Sequence, residues 1–144
     1  MAEAGKLQVR LVTPERMLVD TTVDAVELPA RNGYLEVLYG HAPLLAELGA
    51  GDVTLHGAGD GTDDRYNVAW GFVEVLPERV TILAESAHKP EEIDRGAAEQ
   101  QLKDGQKLWD EAGDKAAQYE RANQMMREAD AKLQSAGGGS RNEG

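Results

Sequence analysis

The chain has 144 residues, enough for one domain or for one domain with an appendage. Its 41% hydrophobic and 28% charged residues are typical of a folded globular protein and argue against wholesale disorder. The formal net charge of -11 disfavours nucleic acid and anionic lipid as partners, and the lack of cysteine excludes disulfides, thiolate metal sites and thiol nucleophiles.

The N-terminal sequence, MAEAGKLQVR, has no basic stretch followed by an apolar stretch, as an export signal would have. No segment approaches the roughly 20 apolar residues that a membrane-spanning helix needs. We therefore expect a soluble protein that is not exported, although it can still lie beside a membrane as part of a complex.

Apolar residues recur at every second position from Lys6 to about Glu85, in runs of Val, Ile and Leu separated by Gly, Pro, Asn and Asp. This period is typical of strands that have one buried and one solvated face. Strands are predicted at residues 7–11, 22–28, 34–38, 44–48, 53–55, 66–70, 72–76 and 80–84. Eight or more short strands predict a sandwich or a flattened barrel.

The segment 57–64, GAGDGTDD, contains no large apolar side chain and is predicted to be a polar hairpin tip that varies freely. Its three carboxylates, Asp60, Asp63 and Asp64, lack the ordered ligand spacing and the closing Glu of a calcium loop. A solvated loop tip is therefore the favoured interpretation.

After Pro90 the apolar period changes to 3.6, which predicts a helix with Glu91, Glu92 and Asp94 in its first turn. Gly113 is predicted to end this helix and Asp114 to cap a second one, which runs to about Ser135. The apolar positions of the first helix are Ile93, Ala97, Ala98, Leu102 and Trp109, and those of the second are Tyr119, Ala122, Met126, Ala129 and Leu133. The spacing predicts an antiparallel helical hairpin followed by a disordered tail, AGGGSRNEG.

The predicted hairpin has mainly alanine at its apolar positions, and Gly105 interrupts the first helix at a cost of about 1 kcal/mol. Two interpretations stay open. The hairpin is either a weakly held unit that can detach and act as a switch, or a permanent pair of closely approaching helices.

Two segments, residues 26–51 with the motif GHAPLL and residues 71–85 with the motif VTILA, resemble the epsilon subunits of bacterial F-type ATP synthases. The first, residues 26–51, reads VELPARNGYLEVLYGHAPLLAELGAG and includes the family's GHAPLL motif. The second, residues 71–85, reads GFVEVLPERVTILAE, with the family's glycine, apolar strand, turn and VTILA strand. Together with the helical hairpin, the resemblance extends over about residues 6–133.

The resemblance implies an N-terminal antiparallel β-sandwich of about ten strands in residues 1–88, bound to the gamma subunit and to the ring of c subunits. It implies a regulatory helical hairpin in residues 89–135, which can extend toward the catalytic beta subunits, and a disordered tail in residues 136–144. The expected protein is a non-catalytic rotor subunit of a proton- or sodium-translocating ATP synthase, peripheral on the cytoplasmic face of the bacterial plasma membrane. Inhibition of ATP hydrolysis by the hairpin is a hypothesis that accompanies this expectation.

The resemblance places the c-ring contact in the turn formed by Arg31, Asn32, Gly33 and Tyr34, where an ordinary Asn-Gly hairpin turn is the alternative. Many relatives have an acidic residue at position 34, glycine at position 36 and proline at position 39. This chain has Tyr34, Glu36 and Tyr39 at those positions, so the contact need not be identical.

The gamma contact is placed in the segment His41, Ala42, Pro43, Leu44 and Leu45. A metal site at His41 is disfavoured, because His41, His56 and His88 lie far apart without ligand-like spacing. We expect His41 to shape the loop through hydrogen bonding and packing, which is compatible with a contact to gamma.

Ile93, Asp94 and Arg95 begin like the ATP-binding pattern of some epsilon subunits, but Ala97 stands where that pattern has Arg. Regulatory ATP is therefore disfavoured, and no other cofactor is predicted. Arg121, Arg127 and Lys132 are candidate contacts with the beta subunit; the equally weighted alternative is a solvated face, because acidic residues alternate with them.

A runner-up interpretation is a free-standing β-sandwich that binds a small ligand and dimerises through its hairpin. Co-purification with gamma distinguishes it from a rotor subunit. An unrecognised enzyme is a third possibility, but the sequence contains no nucleophile elbow, phosphate-binding loop or zinc-protease helix motif.

Overall fold

The computed structural model describes residues 5–59 and 61–137 and divides the chain into two compact units between His88 and Lys89. The first unit contains seven strands among its described residues: β1 Leu7–Val12, β2 Met17–Val23, β3 Ala25–Ala30, β4 Gly33–Leu38, β5 Leu44–Ala58, β6 Thr62–Leu76 and β7 Arg79–His88. The second contains a 3-10 turn, Pro90–Glu92, and two helices, α1 Arg95–Asp110 and α2 Ala116–Ala136. Within the described ranges, no helix is long and apolar enough to cross a membrane.

The strands form one mixed sheet in the order β2-β1-β7-β6-β5-β3-β4. Neighbouring strands are antiparallel except β1 and β7, which run parallel. Although β1, β7 and β6 separate them in the sheet, β2 and β5 also contact each other. The sheet therefore folds back over its own apolar face and makes the two layers of a sandwich.

Alternate residues of the strands fill the space between these layers, as the period of two predicts. In β1, for example, the buried side chains alternate with half-buried Gln8, Arg10 and Val12. The largest fully buried side chains are Leu7, Leu11, Leu28, Leu48, Leu55 and Ile82, with Val9, Val23, Val26, Val37, Val53 and Val68. This core lies entirely within the first unit, so the sheet has its own source of stability.

The predicted sandwich is confirmed, but the prediction of about ten strands, all antiparallel, is wrong for the described chain. Predicted strands 44–48 and 53–55 are parts of the single strand β5, and predicted strands 66–70 and 72–76 are parts of β6. Glycines interrupt the alternation where these long strands bend, and this interruption resembles a turn in the sequence. Conversely, predicted strand 22–28 divides at Asp24 into β2 and β3.

Asp94 caps α1: its Oδ1 accepts a hydrogen bond from the Ala97 N–H at 3.0 Å. The predicted first turn is therefore wrong, because a separate 3-10 turn precedes this cap. The predicted cap of the second helix is also wrong, because α2 starts after Lys115, whose side chain makes no capping hydrogen bond. Gly113, with φ of +60°, lies in the turn between the helices, but α1 already ends at Asp110 with Glu111 as its C-cap. The predicted disordered tail, 136–144, begins within α2 and otherwise lies outside the described residues after Gly137.

Small residues line the contact between α1 and α2. Gly105 and Ala98 are buried on α1, and Ala122 and Ala129 are buried on α2. A Cβ added to Gly105 would lie 2.7 Å from Met126 Cγ, so this glycine permits the close approach of the helices. The predicted small-residue hairpin is thus present, and Gly105 is a packing residue as well as a weak helix former.

Polar and aromatic contacts join the same two helices. Gln101 donates its side-chain N–H to the Met125 carbonyl at 3.0 Å, and Gln118 donates to the Leu108 carbonyl at 3.1 Å. Near the turn, the rings of Trp109 and Tyr119 meet edge to face with centroids 4.6 Å apart. These directional contacts fix the register of the hairpin, which small side chains alone specify poorly.

Candidate protein-binding surfaces

An apolar row crosses four neighbouring strands on the outer face of the sheet. Cross-strand pairing places Phe72 of β6 opposite Leu83 of β7, Leu83 beside Val12 of β1, and Val12 opposite Met17 of β2. Phe72 is 53% exposed, and Leu83 and Met17 are each 51% exposed. Single exposed apolar residues are common in proteins, whereas a contiguous row is a feature typical of contact surfaces.

Leu45 adds to this apolar row from β5. It is 72% exposed and pairs with Glu74, two residues along β6 from Phe72, which makes Leu45 and Phe72 diagonal neighbours. Ala42, Pro43 and Leu44 precede it and are exposed as well. The segment predicted to contact gamma is therefore continuous with the apolar row.

The loop before Leu44 is held to the turn between β6 and β7. Gly40 donates its N–H to the Pro77 carbonyl at 2.7 Å, and its φ of +91° is one that favours glycine. His41 is half-buried, with Nδ1 2.7 Å from the Ala42 carbonyl oxygen. These contacts agree with the expected loop-shaping role of His41.

The turn predicted to contact the c ring joins β3 to β4. Arg31 donates to Glu47 Oε2 at 3.2 Å, and the Tyr34 hydroxyl accepts a hydrogen bond from the Asp52 N–H at 3.0 Å. Tyr34 also covers Gly51, where an added Cβ would clash with its ring. All four residues of the turn are exposed, although the side chains of Arg31 and Tyr34 are anchored to β5.

The turn and the loop lie at opposite ends of β4. Across β5, however, they lie close together, because Glu47, the partner of Arg31, is two residues from Leu45 and pairs with Phe72. The turn predicted to contact the c ring therefore borders the apolar row.

The three residues predicted to bind a nucleotide form the start of α1. Asp94 caps this helix, half-buried Ile93 precedes the cap, and Arg95 is the first helical residue, beside Gly137 at the end of α2. Of these three side chains, only that of Arg95 remains available to bind a phosphate. The structure therefore gives no additional support for ATP binding at this segment.

The three basic candidates on α2 do not share one face. Positions 121 and 132 point within about 20° of each other around a helix, whereas position 127 lies about 120° away. Arg121 and Arg127 are exposed, and half-buried Lys132 donates to Glu128 Oε1 at 3.5 Å. The structure brings Arg121 and Lys132 to one side of α2 and places Arg127 elsewhere.

The sequence did not predict a polar cluster around His56 on β5. His56 Nε2 lies 3.1 Å from Glu27 Oε1, and Nδ1 lies 3.0 Å from Asp63 Oδ2. Burial disfavours the imidazolium, but the hydrogen bonds to both carboxylates outweigh it and raise the pKa of His56. The Gly57 N–H, followed by the His56 side chain, lowers the pKa of Asp63. The hairpin tip predicted to vary freely therefore contains an ordered carboxylate.

The apolar row was also missed, although its signal is present in the sequence. Phe72 and Leu83 occupy outward positions in strands whose inward positions, at Val73 and Ile82, are already apolar. Their pairing across β6 and β7 depends on register, which alternation within single strands does not give.

Comparison with known proteins identifies the family. Residues 6–90 match the family model "ATP synthase, Delta/Epsilon chain, beta-sandwich domain". The ATP synthase epsilon chain of Koribacter versatilis is 44% identical over 103 residues, covering 69% of each protein. That of Granulibacter bethesdensis is 41% identical over 102 residues, covering 71% of this chain and 75% of the relative.

Solved structures share the fold at low sequence identity. A chain of the Euglena gracilis mitochondrial ATP synthase, in a cryo-EM structure of OSCP, F1 and c-ring, superposes with a TM-score of 0.75 at 20% identity. The match covers 88% of this chain and 79% of that chain. A chain from the central stalk and c-ring of the Tetrahymena thermophila enzyme has a TM-score of 0.61 at 13% identity, covering 91% and 96%. The family match, the level of identity and the order of sandwich and hairpin together show that this chain belongs to the epsilon-subunit family of F-type ATP synthases.

Proposed function

We propose that this chain is a non-catalytic component of the ATP synthase central stalk, where it couples the c ring to the gamma subunit. Its relatives are ATP synthase epsilon chains, and chains of similar fold occur in structures that contain F1, the central stalk and the c ring. In this role it is peripheral, at the cytoplasmic face of the bacterial plasma membrane. A two-layer sheet with a close-packed core suits the task, because torque must cross the subunit without deforming it.

The proposal rests on the exposed apolar row. Phe72, Leu83 and Met17 lie exposed beside the loop that ends in Leu45, and burial of this surface against gamma would remove a large apolar area from water. The turn at residues 31–34, which borders this surface through the Arg31–Glu47 contact, would then bind the c ring. In this proposal gamma and the c ring bind adjoining surfaces of the subunit.

Replacing Phe72 with Glu should weaken binding of the gamma subunit by at least about 30-fold, or about 2 kcal/mol, as measured by titration of labelled gamma. Phe72 points outward and contributes little to the core, so the loss reflects the contact and not unfolding. Burying an unpaired carboxylate would add to the loss of apolar contact.

Asn32→Glu is the matched control, because it also adds one negative charge at an exposed position but lies in the turn assigned to the ring. This variant should bind gamma like the unchanged chain and bind isolated c ring more weakly. Equal gamma affinity for Phe72→Glu and the parent would refute the assigned gamma surface. Absence of any gamma binding by the parent would instead support the free-standing sandwich.

The helical hairpin is proposed to restrain ATP hydrolysis, with Arg121 and Lys132 on one side of α2 available to approach an acidic segment of beta. A chain that ends at Lys89 retains the complete sheet and its core but lacks both helices. If the restrained state is occupied at least half of the time, ATPase activity of the enzyme assembled with this chain should rise at least about twofold. Unchanged hydrolysis, with the shortened chain still bound to gamma, would remove the brake from the proposal.

A further inference from the structure

Three strands bring two carboxylates and one imidazole together on the outer face of the sheet. Glu27 of β3 is directly opposite Glu36 of β4, and His56 of β5 lies beside them. One potential ligand atom from each of the three residues lies within 4.8 Å of the other two. Two carboxylates that face each other across an antiparallel pair repel, so a cation between them would relieve this repulsion.

The His56 ring is oriented from its far side. Its Nδ1 lies 3.0 Å from Asp63 Oδ2, while the other oxygen of Asp63 accepts the Gly57 N–H at 3.1 Å. Asp63 therefore binds the ring through Nδ1 and turns Nε2 toward Glu27, at 3.1 Å. Histidines that bind metals through Nε2 commonly have this arrangement, in which a carboxylate fixes the tautomer and the ring orientation.

We propose that Glu27, Glu36 and His56 bind a zinc ion, with Asp63 as the carboxylate that positions His56. Zinc accepts one imidazole nitrogen and carboxylate oxygens, often with water as the fourth ligand, whereas Mg²⁺ and Ca²⁺ prefer ligand sets made only of oxygen. Tetrahedral zinc with bonds of about 2.1 Å keeps its ligands about 3.4 Å apart, so modest side-chain rotation closes the site. Glu36, exposed on an edge strand, has the freedom to make that movement.

Zinc at this position would link β4, an edge strand, to β3 and β5. Among the described strands β4 pairs only with β3, so an additional bond through Glu36 would restrict its local opening. None of the four residues belongs to the proposed gamma or ring contacts. The zinc site and the proposed function can therefore fail independently of each other.

The test is calorimetric titration of the full chain with Zn²⁺ at neutral pH, after treatment with EDTA and its removal. We expect one ion per chain, with at least tenfold weaker binding in both His56→Gln and Glu36→Gln. Asp63→Asn should also weaken binding about 10- to 100-fold, because it alters the group that orients His56. Mg²⁺ and Ca²⁺, titrated at the same concentrations, should give no comparable binding.

The controls separate a built site from adsorption to an acidic protein. His41→Gln and Glu74→Gln remove an imidazole and an exposed carboxylate elsewhere, and both should bind zinc like the unchanged chain. Equal losses in His41→Gln and His56→Gln, or full affinity in His56→Gln, would overturn the proposal, as would a parent chain that binds no zinc.

Hydrogen exchange gives a second readout that does not depend on heats of binding. Zinc should slow amide exchange in Gly33–Leu38 of the unchanged chain at least about threefold, and should leave exchange in Glu36→Gln unaltered. Because Glu36 is exposed, its replacement by glutamine leaves the core intact. Equal slowing in both proteins would contradict a link through Glu36.

Discussion

Gly71→Ala is expected to destabilise the sheet unit by at least about 3 kcal/mol, because two separate penalties coincide at this position. Gly71 has φ of +131°, which side chains with a Cβ rarely adopt. An added Cβ would also lie well inside van der Waals contact of the Leu83 carbonyl oxygen on β7. Backbone cannot rotate away as a flexible side chain can, so β6 and β7 would have to separate.

Urea unfolding followed by Trp70 fluorescence, in a Trp109→Phe background, measures the stability of this unit alone. Gly33→Ala is the control, since Gly33 has a similar φ of +138° but no atom within 4 Å of the added Cβ. It should cost only the conformational penalty, about 1–2 kcal/mol. Equal midpoints for the two variants would show that the clash at Leu83 is absorbed without cost.

Gly71 also explains why the strand count differed from the sequence-based prediction. Trp70, immediately before Gly71, has φ of +60°, and the pairing of β6 with β5 and β7 keeps the same register on both sides of these two residues. Two consecutive residues with positive φ thus interrupt the regular strand conformation in the middle of apolar alternation, while the strand itself continues. A sequence shows the glycine and the change of alternation, but only long-range pairing distinguishes a bend from a turn.

Local sequence patterns were sufficient to predict the buried face of a strand and the presence of the helices. The alternation of β1 gave its buried face correctly, and the 3.6 period gave two helices with Ala122 and Ala129 at their contact. Helix ends were less predictable, because Asp94 and Asp114 are both aspartates and have the same intrinsic preference for the N-cap position. Asp94 caps α1, whereas α2 begins one residue after Lys115.

The residues of the candidate sites come together only through strand pairing. Local sequence patterns do not give the register of that pairing, so the sites could not be predicted from them. Phe72 and Leu83 are eleven positions apart, and they meet because β6 and β7 pair in one register. Glu27, Glu36 and His56 come from three strands, so the spacing of histidines could not indicate their proximity. The GHAPLL segment was found only because it resembles a known family, since exposed apolar residues in a loop have no periodic signal.

Gly105→Leu is expected to destabilise the helical hairpin by about 3 kcal/mol, against the direction that helix propensity alone predicts. Leucine is a better helix former than glycine by roughly 0.8 kcal/mol, so an isolated helix would gain stability. In the hairpin, however, even a Cβ would lie 2.7 Å from Met126 Cγ and 3.3 Å from the Ala122 carbonyl oxygen. Met126 can rotate, but the backbone at Ala122 cannot, and a branched side chain must push α1 and α2 apart.

Trp109 fluorescence in a Trp70→Phe background reports this change, because Trp109 loses its edge contact with Tyr119 when the helices separate. Gly96→Leu is the matched control: it makes the same substitution in α1 at an exposed position, and it should stabilise the hairpin slightly through helix propensity. Gly105→Ala should fall between the two, since one methyl group requires Met126 to rotate but approaches the Ala122 carbonyl oxygen only to 3.3 Å. A stabilised Gly105→Leu hairpin would mean that the helices already part easily, which favours the detachable unit over the permanent pair.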